Sequence, residues 1–378
     1  MSINSIKYYL VFILIIITSF QYSSWGISGE MYTILRGIII TLTIIIFFVS
    51  LKGITYKSLK SKIFKTHFIG LALLVSILVA LYIFGFSIIN TPVRDLALAL
   101  IILIIGLNLN LEEKLYKRLI NIYIVLYTLA ALSIVFTYAS GFVIKEQYLP
   151  IPKNQLAPAF GVAFILSFYF SFKKKRLTKL FYYAFTGLLF ASLLVIRGRA
   201  VLVAVFLTII IFIFYYIKSR KYKIATIIVG IALIPFIGQF IYEALILNYD
   251  VSNINSVSTG RWATYMEGLN FFKLHWIGGL IESSSYNGDT IHNYILYNLV
   301  NYGVFIGSLL LIIYFKYILK IASSIRNNTF LYFEVGPLVM VIIFIVSLFE
   351  YAYPFAPGSA IFFPFFLMGQ YLQKETTL

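Results

Sequence analysis

The sequence predicts an all-α, polytopic integral membrane protein with about twelve transmembrane helices and one large loop, and three observations carry that expectation. The 378-residue chain is 61% hydrophobic and only 11% charged, with a mean hydropathy of +0.95, far from the composition of a water-soluble domain. Its apolar residues gather in runs close to the roughly 20 residues that a bilayer core of about 30 Å demands. The connections between those runs alternate between rich and poor in cations. A transmembrane β-barrel would show period-two alternation in segments of about ten residues, which is absent.

Taken in order, the apolar segments lie near 6–24, 31–51, 67–89, 93–109, 119–141, 155–172, 180–196, 200–217, 224–242, 293–315, 330–349 and 357–372. The first is too long in its apolar core for a removable signal peptide, and no small-x-small cleavage site follows Ser23-Ser24-Trp25. Segments longer than the minimum are absorbed by tilt. The 36 Phe and 30 Tyr read as interfacial aromatic belts. With no cysteine, the chain has no disulfide, zinc-thiolate or iron–sulfur chemistry. The whole of 1–378 reads as a single membrane domain, with residues 243–292 as a polar loop between the ninth and tenth spans.

The net charge of +17 first suggests nucleic acid, but its placement argues against that partner. With the N-terminus inside, 22 of the 30 Lys and Arg fall on the cytoplasmic side: Lys7, and the clusters at 52–65, 114–118, 173–179, 218–223 and 316–326, and Lys374. Only Glu112, Glu113, Glu334 and Glu375 of the 13 acids share that side. This is the positive-inside bias, and it sets both termini in the cytoplasm and the loop outside. Anionic membrane lipids are expected contacts of the basic face.

Eight cations break the bias: Arg36, Arg94, Lys145, Lys153, Arg197, Arg199, Arg261 and Lys273. Arg94 and Lys145 each adjoin an acid, and Arg36 is near enough to its span's end to snorkel. Arg197-Gly198-Arg199 forms the whole connection between spans seven and eight. Two guanidiniums there repel unless an anion lies between them, which reads either as headgroup anchoring or as an anion clamp.

Within the loop, Ser258-Thr259-Gly260 offers a helix N-cap before Arg261. Trp262, Tyr265, Met266, Leu269, Phe272 and Trp276 then recur at three- and four-residue spacing, and Gly278-Gly279 closes the run. An amphipathic helix on the outer membrane surface is expected, with Arg261 at a first turn whose free N–H groups favour an anion. His292 is expected in the first turn of span ten, facing water at the membrane rim. Asp289, three residues earlier, would supply a carboxylate to orient and support the imidazole. The three isolated histidines form no metal-binding pattern, so no metal or other cofactor is expected.

At this point the chain resembles the bacterial O-antigen polymerase (Wzy-type) and O-antigen ligase (WaaL-type) glycosyltransferases over roughly residues 150–310. Lys153-Asn154-Gln155-Leu156 is similar to the family's K-N-x-x opening of a span. Gly198-Arg199-Ala200 is similar to its S-R-G-A, with Gly198 where the family has serine. Because Arg197 is adjacent, either arginine can be the equivalent one, and Arg199 aligns better with the apolar run. Gly260-Arg261-Trp262 resembles the S-x-R-x-x-x-W region of the large loop, Trp276-Ile277-Gly278-Gly279 its P-x-x-G-x-G, and His292-Asn293-Tyr294-Ile295 with Gly303 and Gly307 its H-N-x-x-L … G-x-x-G.

The resemblance implies a GT-C-like fold at the outer face of a bacterial inner membrane, with the periplasmic face active. It implies metal-independent transfer of a glycan from undecaprenyl pyrophosphate to a sugar hydroxyl. The leaving pyrophosphate gains charge, so fixed cations must stabilise it, and Arg199 and Arg261 are the expected pair. His292 is the expected base or orienting group, with Asp289 or Glu282 as alternatives. Arg197, Lys153, Asn154 and Trp262 complete the expected substrate contacts. The partners implied are an undecaprenyl-pyrophosphate-linked oligosaccharide and a chain-length regulator protein. A polymerase of repeat units is favoured over a ligase to lipid A core. A flippase is the reading from another class, but transporters carry ionisable groups at the membrane centre, and these span interiors are nearly free of charge.

Overall fold

A computed structural model shows a predominantly helical protein and describes residues 3–24, 29–51, 62–83, 91–140, 143–144, 151–173, 177–221, 223–226, 228, 253–258, 260–281, 291–327, 332–351, 353–355 and 359–377. The helices are α1 (Ile3–Gln21), α2 (Gly29–Leu51), α3 (Lys62–Ile83), α4 (Thr91–Asn108), α5 (Glu113–Tyr138), α6 (Lys153–Lys173), α7 (Leu177–Ile196), α8 (Arg199–Tyr215), a single turn α9 (Ile254–Val257), α10 (Arg261–Leu274), α11 (Tyr294–Asn327), α12 (Val335–Val346) and α13 (Ser359–Thr377). The only sheet among the described residues pairs Ala139–Ser140 with Val143–Ile144 after α5. Each expected span coincides with a helix except that near 224–242, which lies largely outside the described residues.

Five of these helices are long and apolar enough to cross a membrane, over Glu30–Leu51, Glu113–Tyr138, Lys153–Lys173, Leu177–Ile196 and Tyr294–Asn327. Large apolar side chains stand exposed along the outer faces, among them Phe48, Val79, Phe206, Phe305 and Leu319. In water such a surface would drive association, whereas in lipid it is solvated. The central helix is α6, buried from Leu156 through Phe170 apart from Phe168. Helices close in where side chains vanish. A Cβ at Gly106 would lie 2.5 Å from the Phe366 carbonyl oxygen, and one at Gly336 would lie 2.6 Å from that of Leu367, so α4, α12 and α13 pack backbone to backbone.

The charge pattern is coherent in three dimensions. Lys173 meets Glu334 at 3.0 Å and Lys320 meets Glu375 at 2.7 Å. Lys117 sits 3.4 Å over the ring of Tyr332, and Lys374 5.1 Å from that of Phe333. Basic residues as far apart in sequence as Lys117 and Lys374 therefore collect at one end of the bundle, a placement consistent with the positive-inside pattern.

The tenth expected span, 293–315, has a different form. α11 is broken at Gly303, whose φ of 64° and ψ of −169° are non-helical. Tyr294 and Tyr314 would be roughly 30 Å apart along a continuous helix, yet their rings stack at 5.1 Å. A Cβ at Gly307 would lie 3.0 Å from the carbonyl oxygen of Asn298. α11 is thus a helical hairpin: a short arm, 294–302, folds back along a long arm, 304–327. Apolar periodicity cannot register such a reversal, because both arms bury the same kinds of residue.

The loop is built into that reversal. Val304 N–H donates to the Trp276 carbonyl at 2.8 Å, taking a partner the broken helix cannot supply. Gly279 and Gly303, both with positive φ, face each other so closely that a Cβ on Gly279 would lie 2.7 Å from Gly303 N. The Gly278-Gly279 run therefore marks a docking point as well as the end of a helix. α10 begins at Arg261 as expected but ends at Leu274, leaving Trp276 in the turn beyond. Its apolar side chains also divide between two faces. Gly268 and Phe271, with Tyr265 and Phe272 beside them, pack on Ile291 and Val300 of the hairpin region, while Trp262, Met266 and Leu274 point outward.

Candidate functional site

The site forms where α12 stops short. An α-helix leaves its last carbonyls without intrahelical partners and carries negative charge at that end. Beyond α12, the Ser347 carbonyl accepts Tyr294 N–H at 2.9 Å, the Leu348 carbonyl accepts the Asn293 side chain at 3.0 Å, and the Phe349 carbonyl accepts Arg261 Nη1 at 2.8 Å. The helix's own last carbonyls, of Ile343, Ile345 and Val346, are taken by the N–H groups of Ser347, Leu348 and Phe349. The three carbonyls of that closing turn are satisfied by the loop and the hairpin, and one of the donors is a guanidinium, the charge that a helix C-terminus favours.

Glu350 follows directly and is buried, with 6% of its side chain exposed. Its Oε1 accepts Arg261 Nη2 in an ion pair, and its Oε2 lies 3.0 Å from His292 Nδ1. An ionised carboxylate only accepts, so in the neutral imidazole this contact places the proton on Nδ1 and the lone pair on Nε2. Asn293 caps the hairpin's short arm by accepting Leu296 N–H at 3.0 Å, and Tyr265 Oη, one helical turn beyond Arg261, donates to the His292 carbonyl at 2.7 Å. Burial and nearby Glu350 hold the Tyr265 phenol above its ordinary range, with Arg261 opposing, so it remains a donor. The imidazole is one-third exposed and stands edge-on to Tyr351, at 6.1 Å. Asp95, buried at the start of α4, pairs with Arg94 at 3.3 Å.

Several expectations are revised by this geometry. Among the described residues the carboxylate beside His292 is Glu350, 58 residues along the chain; the expected Asp289 and its alternative Glu282 lie outside the described residues. His292 precedes α11, and the neighbouring Tyr294 is level with Tyr314, roughly 15 Å down the long arm from the Gly303 turn. It is therefore set back from the Gly303 end of the hairpin. The first turn of α10 offers no free N–H groups: Arg261, Trp262 and Ala263 N–H are held by Ser258 O, Ser258 Oγ and Asn255 Oδ1. Arg261 resolves its conflict with its own helix dipole through Glu350 and the end of α12 and needs no anionic ligand to do so. Trp262 is exposed on the outward face of α10.

The other expected residues form a second group. Arg197 and Gly198 make the turn between α7 and α8, and Arg199 opens α8. Arg197 adopts a left-handed backbone, φ 56°, which costs a non-glycine residue of order 1 kcal/mol, and its buried Nε has no hydrogen-bond partner. Gly198 presses on α6, where a Cβ would come within 2.6 Å of Ala157 Cβ. Lys153 and Asn154 are the half-buried first residues of α6, one turn from Ala157. Tyr353 Oη donates to the Gln155 carbonyl at 3.4 Å, so α6 joins this arginine turn to the Glu350 segment.

Glu350 was not among the residues singled out from the sequence. The available signal was an acid closing an uninterrupted apolar run, Val335–Val346, beside the aromatic-rich Tyr351 and Tyr353. Among the described residues, no three His, Asp or Glu side chains group as a metal site. No family model matches the chain, and no curated protein matches it either.

Proposed function

We propose that this protein is a multi-pass glycosyltransferase of the bacterial inner membrane, with about twelve spans and both termini cytoplasmic. Its reaction polymerises lipid-linked polysaccharide repeat units at the periplasmic face. The observation that carries this reading is Glu350 held between Arg261 and His292, which leaves His292 Nε2 as an oriented proton acceptor. In the proposed step, an acceptor sugar hydroxyl gives its proton to Nε2 while its oxygen bonds to the anomeric carbon of the donor. The bond from that carbon to the undecaprenyl pyrophosphate breaks, and the pyrophosphate leaves with the electron pair. Developing charge on the leaving group calls for fixed cations. Arg197 and Arg199 supply them at the α7–α8 turn, and Arg261 serves chiefly to hold Glu350.

The test is purified full-length protein given lipid-linked repeat units. Polymerase activity appears as a ladder of lipid-linked oligomers, lost in His292→Ala. Transfer only to added lipid A core would instead indicate a ligase. Movement of the lipid-linked unit across vesicles without a new glycosidic bond would overturn the enzyme reading.

A further inference from the structure

A cavity of about 550 Å³ lies away from His292, between α3, α4, α11 and α13. It is within the size range of small-molecule and lipid sites, and its two ends differ in chemistry. Gly70, Leu100 and Ile313 line the inner part, and Thr66, His67, Lys316, Lys320 and Ser323 the outer part. The polar end is the end of the bundle where Lys320 pairs with Glu375 and where the basic clusters collect. Lys316 is exposed and has no ion-pair partner among the described residues. Along the same arm of α11, Ile312, Phe315 and Leu319 present an exposed apolar face, so the opening adjoins the surface that lipid covers.

We propose that this groove binds an anionic phospholipid, with an acyl chain between Gly70, Leu100 and Ile313 and the headgroup phosphate at Lys316 and Lys320. Charge complementarity selects the occupant: an apolar slot open to lipid and ending in two ammonium groups suits an amphiphile with one anionic end. A neutral lipid would fill the slot but leave Lys316 unpaired. The inference is independent of the proposed transferase activity.

The test mixes purified full-length protein in neutral detergent with equal phosphatidylglycerol and phosphatidylcholine and reads the bound lipid by native mass spectrometry. Phosphatidylglycerol is expected to dominate by about tenfold or more. Lys316→Ala, at an exposed position that leaves the fold intact, should reduce that preference by about fivefold. Gly70→Leu adds bulk where a Cβ would already sit 3.7 Å from Leu100 Cδ1, and it should reduce binding of both lipids. Equal binding of the two lipids, or an unchanged preference in Lys316→Ala, would overturn the proposal. Displacement of the lipid by glycerol phosphate at equal concentration would do the same, because it would show a headgroup site without an acyl slot.

Discussion

Arg261 and His292 hold opposite oxygens of one carboxylate, that of Glu350, although they lie 89 and 58 residues from it in sequence. The arrangement is mutual. The guanidinium pairs with the buried carboxylate, the carboxylate orients the imidazole, and Arg261 also satisfies the Phe349 carbonyl in the turn beyond α12. Removing any member strands the others, which gives the first predictions their form.

Glu350→Gln keeps an acceptor for His292 Nδ1 but removes the charge that Arg261 pairs with. Turnover of lipid-linked repeats should fall by roughly 10²–10⁴, the usual worth of positioned acid–base chemistry. Wild-type turnover in a folded Glu350→Gln protein would remove the triad from catalysis.

Arg261→Ala and Glu350→Ala should each destabilise the protein by about 1–3 kcal/mol, because each leaves a largely buried partner unpaired. The double variant should be less destabilised than the sum of the two, with a coupling of at least about 1 kcal/mol. Thermal unfolding in detergent measures it. Simple additivity would mean that the ion pair does not persist in solution.

Arg197→Gly separates strain from function. Glycine accepts φ 56° without penalty, so stability should hold or rise by roughly 1 kcal/mol. Loss of a pyrophosphate ligand should nonetheless lower kcat by about 10²-fold or more. If activity is retained alongside the gain in stability, the leaving-group role passes to Arg199 alone.

The α11 reversal can be tested by cross-linking, since the chain has no cysteine of its own. A Cβ on Gly307 would lie 3.4 Å from Leu299 Cα, so a Leu299→Cys/Gly307→Cys pair should be joined by a short thiol cross-linker within one molecule. A continuous helix would hold these positions roughly 12 Å apart and give no product. Gly303→Ala should lower the unfolding temperature markedly, because its Cβ would be driven into the Ile277 carbonyl.

The legible part of the fold follows from local physics. Runs such as 31–51 and 155–172 name themselves as helices because the bilayer core requires length and apolarity, and Lys173, Lys320 and Lys374 mark one end because cations are sorted across a membrane. Arg261 could be found at a helix start from Ser258, Gly260 and the spacing that follows. Glu350 could not be paired with it, because nothing in an apolar run states which distant cation its closing acid will meet.

Sequence alone therefore determined the apolar, helical class, the places of the described helices outside the α11 region, and two of the three members of the Arg261–Glu350–His292 group, all from composition, periodicity and charge. Tertiary structure alone decided that α11 doubles back at Gly303, that Gly279 docks into the break, and that Glu350 joins Arg261 to His292. The reason is physical: hydrophobic length and local spacing are written residue by residue. The satisfaction of the carbonyls in the turn beyond α12 and of a buried carboxylate depends on which segments the packed chain brings within hydrogen-bonding distance.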